Sequence, residues 1–574
     1  MGDSVDILAT ENSYTELSKT KTKQSGFTVA LSGTAGSAIN GAISGYKASK
    51  EADDSQISTL QGIKAGLSGT QAAGAVALDN AQSGTDNEST TLIGANVAYG
   101  KSSSESERIQ QQNIAQGSSL SAGENLSITA TGKEQGDITI TGSELQAGGD
   151  LTLSATRDIT LQSAQNQETI DSKNSSKSAS VGVGVTVGSG GVGVNINANG
   201  SRAKGFEEGD HTYYTNSTLN AGQTLTLQSG QDTTLKGAQA QGDKVIAKVG
   251  GDLHLESQQA IDDYKSKQSS ESAGGSVNVM GTPGGSANLS FSRDKMDSKY
   301  RSVEEQTGLF AGNQGFDISV GKHTQLDGAV ISSTAEAKNN QLDTGTLGFS
   351  DIHNYAEYKV EHQSGGVSTS GGVEGNMLAN MGHALAMAGN HSDSAENTTQ
   401  SAVSQGTWTV RDSDNQQQDI AQLSQDTDNA HSTLNKIFDK EKEQNRQQKQ
   451  QLVGEIGAQI IDLATTADTI RGTHQAKEES RLDNFSDTAY DDIYQALSET
   501  HENVTERDVQ NYLFQQRLQD YTNQSEFGTG GKYTRAIQAI TAFTQGMMGN
   551  NIVTAIANGS APYLANEVKK PNSR

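Results

Sequence analysis

Four groups of residues in this sequence have types and spacings that could do chemistry. The string SEFGTGGKYT at 525–534 places Gly531 and Lys532 ahead of a helical pattern, as a phosphate-cradling loop does. Such a loop also needs a leading glycine and a Ser or Thr for Mg²⁺, and Glu526 and Tyr533 stand in those places. The Gly/Val strand at 181–194 lacks the dinucleotide fingerprint, because Val187 occupies the third glycine's position. His353 and His362 are read as sharing a strand face with no third ligand nearby, and His383 is alone on an Ala/Met face. His474 and His501 are isolated in the C-terminal part. Asp262 and Asp263 sit in a polar corner whose counterparts are Glu168 and Asp171, or Glu16. A carboxylate catalyst needs converging acids with a cation held among them, whereas this corner recurs as a solvated turn. Cysteine is absent, which removes thiol nucleophiles and disulfides together. No catalytic, cofactor-binding or metal site is expected, and the chain is read as non-enzymatic.

The elements around these residues are repeats. SSLSAGENLSITAT (118–131), SELQAGGDLTLSAT (143–156) and STLNAGQTLTLQSG (217–230) each hold a leucine, a small-residue turn and an alternating L-x-L or L-x-I run. RDITLQSAQ (157–165) and QDTTLKGAQ (231–239) continue two of them in step. Short strands separated by tight corners have this spacing. One such unit cannot bury its own apolar face, so its copies must stack. Stacking also reconciles 574 residues with only 32% hydrophobic composition, since each repeat needs few inward Leu, Val or Ile. The 3 prolines are too few to interrupt ladders often.

A longer unit overlays the short one: a polar segment, a Gly/Val strand, a turn and a return strand. The clear copies are 168–205, turning at GSGG, and 260–299, turning at GTPGG. They read as hairpins projecting from the stack. Two placements are open for them, packing flat on the neighbouring repeats or laying an apolar face against lipid. Residues 12–33 and 94–107 match the two halves of the unit, so 34–90 reads as an insertion of two small helices. A fourth copy begins near 353–368, with a second helical insertion near 376–405. Beyond Arg411 period two is lost; 412–450 reads as a Gln/Lys-rich helical linker and 451–574 as a small α-helical domain. Leu452, Val453, Ile456, Ile460, Ile461 and Leu463 there fall on one helical face, and Thr505 with Asp508 offers a capping box. Composition leaves 391–405 and 412–430 open to disorder.

The net charge of −26 disfavours nucleic acid as a direct partner. The start, MGDSVDILATENS, has acids where a signal peptide is basic. The run 25–46 is mostly Gly, Ala, Ser and Thr, and 377–389 is too short to span a bilayer.

The rungs SELQAGGDLTLSATRDITLQSA and STLNAGQTLTLQSGQDTTLKGA resemble the haemagglutinin repeats of filamentous haemagglutinins and CdiA-like contact-dependent growth inhibition proteins. GTWTVRDSDNQQQDIAQLSQDTDNA is similar to the segment joining those repeats to the region before the toxin. SEFGTGGKYTRAIQAITAFTQGMMGNN is similar to the pretoxin region. The resemblance implies a mostly β chain: a right-handed parallel β-helix over 1–411 with projecting hairpins, followed by a pretoxin-like helical domain. It implies two-partner secretion, location at the bacterial surface or outside the cell, and delivery of a C-terminal toxin. The implied partners are an outer-membrane transporter, a target-cell outer membrane or receptor, and the toxin domain. This chain is expected to be an internal piece without secretion and toxin domains. A filamentous adhesin and a polysaccharide-active β-helix enzyme are the alternatives.

Overall fold

The computed structural model describes residues 1–368, 390–499, 503–527 and 531–548. Short strands recur in threes along the chain: Glu144–Ala147, Leu151–Ala155 and Ile159–Gln162, then Ser217–Ala221, Thr224–Ser229 and Thr233–Lys236. Each pairs in parallel with its counterpart in the neighbouring copy, setting Leu145 beside Leu219, Leu153 beside Leu227 and Leu161 beside Leu235. The alternation seen in the sequence becomes alternation of burial, with Leu151 and Leu153 inward and Thr152 and Ser154 outward.

Repetition turns these pairs into files. Ile140, Leu161, Leu235, Leu255, Leu326 and Phe349 form one, and Leu145, Leu219, Ala240, Leu309 and Ile331 another. The files are the core of a 7-stranded and a 12-stranded parallel arrangement. Each fully buried leucine contributes roughly 1.5–3 kcal/mol. The chain is mostly β, as expected, with parallel sheets.

One corner carries a file of carboxylates. Asp137 accepts from the Asp158 amide (3.2 Å), Asp158 from Asp232 (2.9 Å), Asp232 from Asp252 (2.8 Å) and Asp252 from His323 (3.0 Å). Each aspartate thus satisfies a backbone N–H of the next copy, one that the turn would otherwise leave without an acceptor.

The hairpins build a separate sheet. Thr10–Ser32, Ile93–Gln116, Ala164–Gly188, Gly191–Thr215, Gln259–Met280, Gly285–Val303, Ile352–Ser368 and His391–Thr399 pair antiparallel in that order, eight strands of up to 25 residues. Buried Asn354 pins one base: its Oδ1 accepts from the Val303 amide (2.9 Å), and its Nδ2 lies 2.9 Å from Thr399 Oγ1 and from the Ser432 carbonyl. Between the first two strands run helices Gly33–Glu51 and Ser55–Gln82. Gly33, at φ +81°, turns strand into helix where an added Cβ would stand 2.6 Å from the Thr91 carbonyl oxygen. In the stretch read as a second helical insertion, 376–389 lies outside the described residues. His391–Thr399 is a strand there, because it completes the ladder left open along Ile352–Val360.

The stretch 412–450 holds a single short 3-10 turn, Ile420–Gln422, and is α-helical only from Lys440, which opens the helix Lys440–Glu479. Before it, Gln416 and Gln418 pair their side-chain amides with the backbone of Leu347 and Phe349, at 2.7–2.9 Å. The glutamines occupy a strand edge that would otherwise be open to another chain. Helices Asp487–Ser498, Glu506–Gln524 and Lys532–Met548 follow, with the Thr505–Asp508 capping box in place. Among the described residues no helix is long and apolar enough to cross a membrane.

If the leucine files hold the parallel sheets, Leu227→Ala should cost about 2–5 kcal/mol, read as a lowered urea midpoint. Val183→Ala, on an exposed strand face, should change it by no more than about 0.5 kcal/mol.

Candidate interaction face on the long antiparallel sheet

Directly opposed residues of antiparallel strands share a face, so the register assigns every side chain of the long sheet to one of two sides. On the first side, Val29, Val97, Val183, Ile196 and Val277 form one row across five strands. Phe27, Tyr99, Val181 and Ala198 form the next, with the Phe27 and Tyr99 rings 5.2 Å apart. These side chains are uncovered: Val181 is 60% exposed although its strand is central, and Val277 61%. On the second side Gly182, Gly184, Asn195 and Asn197 interleave, and Asn197 Nδ2 donates to Asn96 Oδ1 at 2.7 Å.

The chain itself covers the second side at the tip and at the base of the sheet, while the edge strand Thr10–Ser32 stays exposed on it. At the tip, the Thr186 hydroxyl donates to the Thr90 carbonyl (2.7 Å), and Asp79 accepts from the Ser189 amide and hydroxyl. At the base, residues 431–440 cross the sheet over a row of aromatics. The Tyr300 hydroxyl donates to the Leu434 carbonyl (2.9 Å), and Phe438 packs between Tyr264 and Tyr358. Lys436 pairs with Asp262 at 2.7 Å, and Lys440 pairs with Glu207. The helix Lys440–Glu479 then runs parallel to Ser55–Gln82. Lys449 meets Asp54 (2.7 Å), Glu455 meets Lys64 (2.6 Å), Asp462 meets Gln71 (2.7 Å) and Lys477 meets the Ser83 carbonyl (2.6 Å), in step along both helices.

Where that helix starts, Glu443 is 4% exposed and gathers Arg446 (2.7 Å), His391 (3.2 Å) and the Tyr358 hydroxyl (3.4 Å). Burial, reinforced by the Glu443 carboxylate, pushes the Tyr358 phenol up to about 12. Burial also raises Tyr264 and Tyr300. The base aromatics Tyr264 and Tyr358 stand in the strand patterns IDDYKS and YAEYKV, but no pattern in the sequence pointed to the segment covering them.

The residues singled out for chemistry do not converge. Asp262 and Asp263 point to opposite faces: the first holds Lys436, and the second a bidentate Arg301 at 2.7 and 2.8 Å. Glu168 shares a row with Asp262, Asp171 lies on the other face, and Glu16 accepts from Tyr14 at 3.4 Å. His353 and His362 also fall on opposite faces, being an odd number of residues apart on one strand; they pair with Glu396 (3.6 Å) and Asp294 respectively. His383 and His501 lie outside the described residues, and among those described no three metal-ligating side chains gather. Tyr533 stacks on Phe527 at 4.7 Å, and Lys532 sits over the Tyr533 ring.

Residues 97–273, which include two of the long strands whole and most of two more, match the hemagglutinin repeat family. The chain is 46% identical over 573 residues to the deoxyribonuclease CdiA of Yersinia pseudotuberculosis serotype O:3, covering 99% of this chain and 52% of that protein. It is 44% identical to the 16S rRNA endonuclease CdiA of Enterobacter cloacae, over 98% of this chain and 17% of the relative. To the tRNA nuclease CdiA of Escherichia coli strain NC101 it is 44% identical, over 99% and 17%. Along nearly its whole length the chain is similar to these CdiA proteins, and residues 97–273 carry the hemagglutinin repeat. The chain spans about half the length of the first relative and 17% of the other two. No solved structure matches it.

Tyr358 makes the covering segment sensitive to alkali. An unfolded tyrosine ionises near pH 10 and this one near 12. Its contribution to stability is therefore complete below about pH 10 and lost between pH 10 and about 12. Urea midpoints should fall across that window, and Tyr358→Phe should flatten the fall.

Proposed function

We propose that this chain is the carrying part of a contact-dependent growth inhibition protein, a non-enzymatic scaffold that presents and delivers a toxin domain. One observation carries the reading. Relatives named as a deoxyribonuclease, a 16S rRNA endonuclease and a tRNA nuclease match this stretch at nearly equal identity along nearly all its length. What they share is thus separate from the activities that distinguish them.

In this reading the parallel strands of 1–411 wind as a right-handed β-helix, a rod that holds the long sheet clear of the producing cell. Three strand files visited in a fixed order support it. The segment 412–450 connects the rod to a pretoxin-like unit, 451–574, that adjoins the toxin. An outer-membrane transporter exports the whole protein by two-partner secretion, which places it at the cell surface or outside the cell. The uncovered sheet face meets the envelope of the target.

Supplying a secretion domain before residue 1 and fusing a known nuclease toxin after Lys570 should inhibit target cells on contact. Residues 446–574 expressed alone in a bacterial cytoplasm should leave growth unchanged. Growth arrest by the unfused segment would reveal an activity in this chain and overturn the scaffold reading.

A further inference from the structure

We infer that the uncovered face of the long sheet docks on an anionic lipid bilayer, its cation rows on headgroup phosphates and its valine rows in the acyl boundary. The inference rests on the reading above that this face meets a target envelope, and names the chemistry met there.

The cations are concentrated against the trend of the chain. Immediately below the apolar rows, Lys23, Lys177 and Arg202 share a row with Glu271, and Lys21, Lys204 and Arg293 share the next with Glu105. Lys101 stands in the row above, between Ser25 and Ala179. A protein of net charge −26 has set cations well in excess of carboxylates on one patch. Two of them are engaged, Lys21 with Glu105 at 3.1 Å and Arg202 with Glu271 at 3.3 Å. Lys101, Lys177, Lys204 and Arg293 make no salt bridge among the described residues. Such a patch attracts phosphate, and arginine binds it in a planar fork.

Shape points to an amphipathic partner. A shallow trough of about 780 Å³ has Lys177, Arg202 and Glu271 on one side and Leu289 and Phe291 on the other, over Gly200 and Ala273. A second, of about 430 Å³, lies between Lys23, Lys101 and Lys177 over Ala179. The small residues open space where cationic and apolar side chains both reach, as a phospholipid requires. The adjoining apolar tract extends over five strands and the seven residues Val181–Val187, roughly 20 Å each way. A soluble polyanion would leave that tract wet, and a second copy would set cations against cations or against valines.

The tract is too short and too one-sided to span. A crossing strand needs about 9–11 residues, and the reverse face carries Thr186, Asn195 and Asn197. A face of this kind lies in the interface, with aromatics such as Phe27, Tyr99 and Phe291 at headgroup level and cations adding electrostatic attraction.

The test is co-sedimentation of the full chain with vesicles of phosphatidylglycerol or of phosphatidylcholine. Binding should favour phosphatidylglycerol strongly and weaken as salt rises. The combined variant Lys177→Ser, Arg202→Ser and Lys204→Ser should bind phosphatidylglycerol about a hundredfold more weakly. Its thermal unfolding should match the parent's, since these side chains stand on an open face. Val183→Ser with Val277→Ser should also weaken binding. Equal binding to both lipids, an unchanged triple variant, or association of the chain into dimers in place of vesicle binding would each overturn the inference. A chain that binds phosphatidylglycerol but delivers no fused toxin would instead overturn the delivery reading and leave the docking intact.

Discussion

A repeat with one apolar face and no partner of its own must be stacked in register, and the rest of this structure depends on that constraint. The leucines at strand period two fix which residue stands beside which, because a slip of one position would turn every leucine outward. Once the files at Leu145, Leu153 and Leu161 are set, the corner amides fall one copy apart, where Asp158, Asp232 and Asp252 can accept them. The same register spaces the points where hairpins leave the stack, which lets successive hairpins meet edge to edge as one sheet.

That sheet divides the molecule's surfaces. Its polar side is closed in two places by the chain itself, by the loop after Gln82 at the tip and by Leu434, Ile437 and Phe438 at the base. The C-terminal helices are thereby held on one side, through four polar contacts to the helix Ser55–Gln82 and its two capping residues, and through Glu443 at the base. Covering one side leaves the other, with its valines and its cations, as the surface the fold presents outward.

The repeats, the hairpin turns and both helices of the first insertion could be read from the sequence, because each is a local pattern repeated. What escaped reading was mostly relational. The aspartate file was visible as an acid before each strand, in GDITIT, RDITLQ, QDTTLK and GDLHLE, yet its meaning depends on the neighbouring copy. Gln416 and Gln418 belong to a linker by composition and to a strand edge by position. His353 with His362, and Asp262 with Asp263, illustrate a rule that was available: odd separations on a strand put side chains on opposite faces. The rows of Lys and Arg beneath the valines come from five strands far apart in the chain, and no single window contains them.

The central claim is that the long sheet has one face closed at tip and base by its own chain and one face open. The protein has no cysteine, so single cysteines can report each side without a background. The measurement is the rate of thiol labelling in the full chain for Val183→Cys and Val277→Cys on one side and Thr186→Cys and Ala356→Cys on the other. The account predicts fast labelling at the first pair and strong protection at the second, relieved on unfolding in urea. Labelling at equal rates on both sides would contradict it.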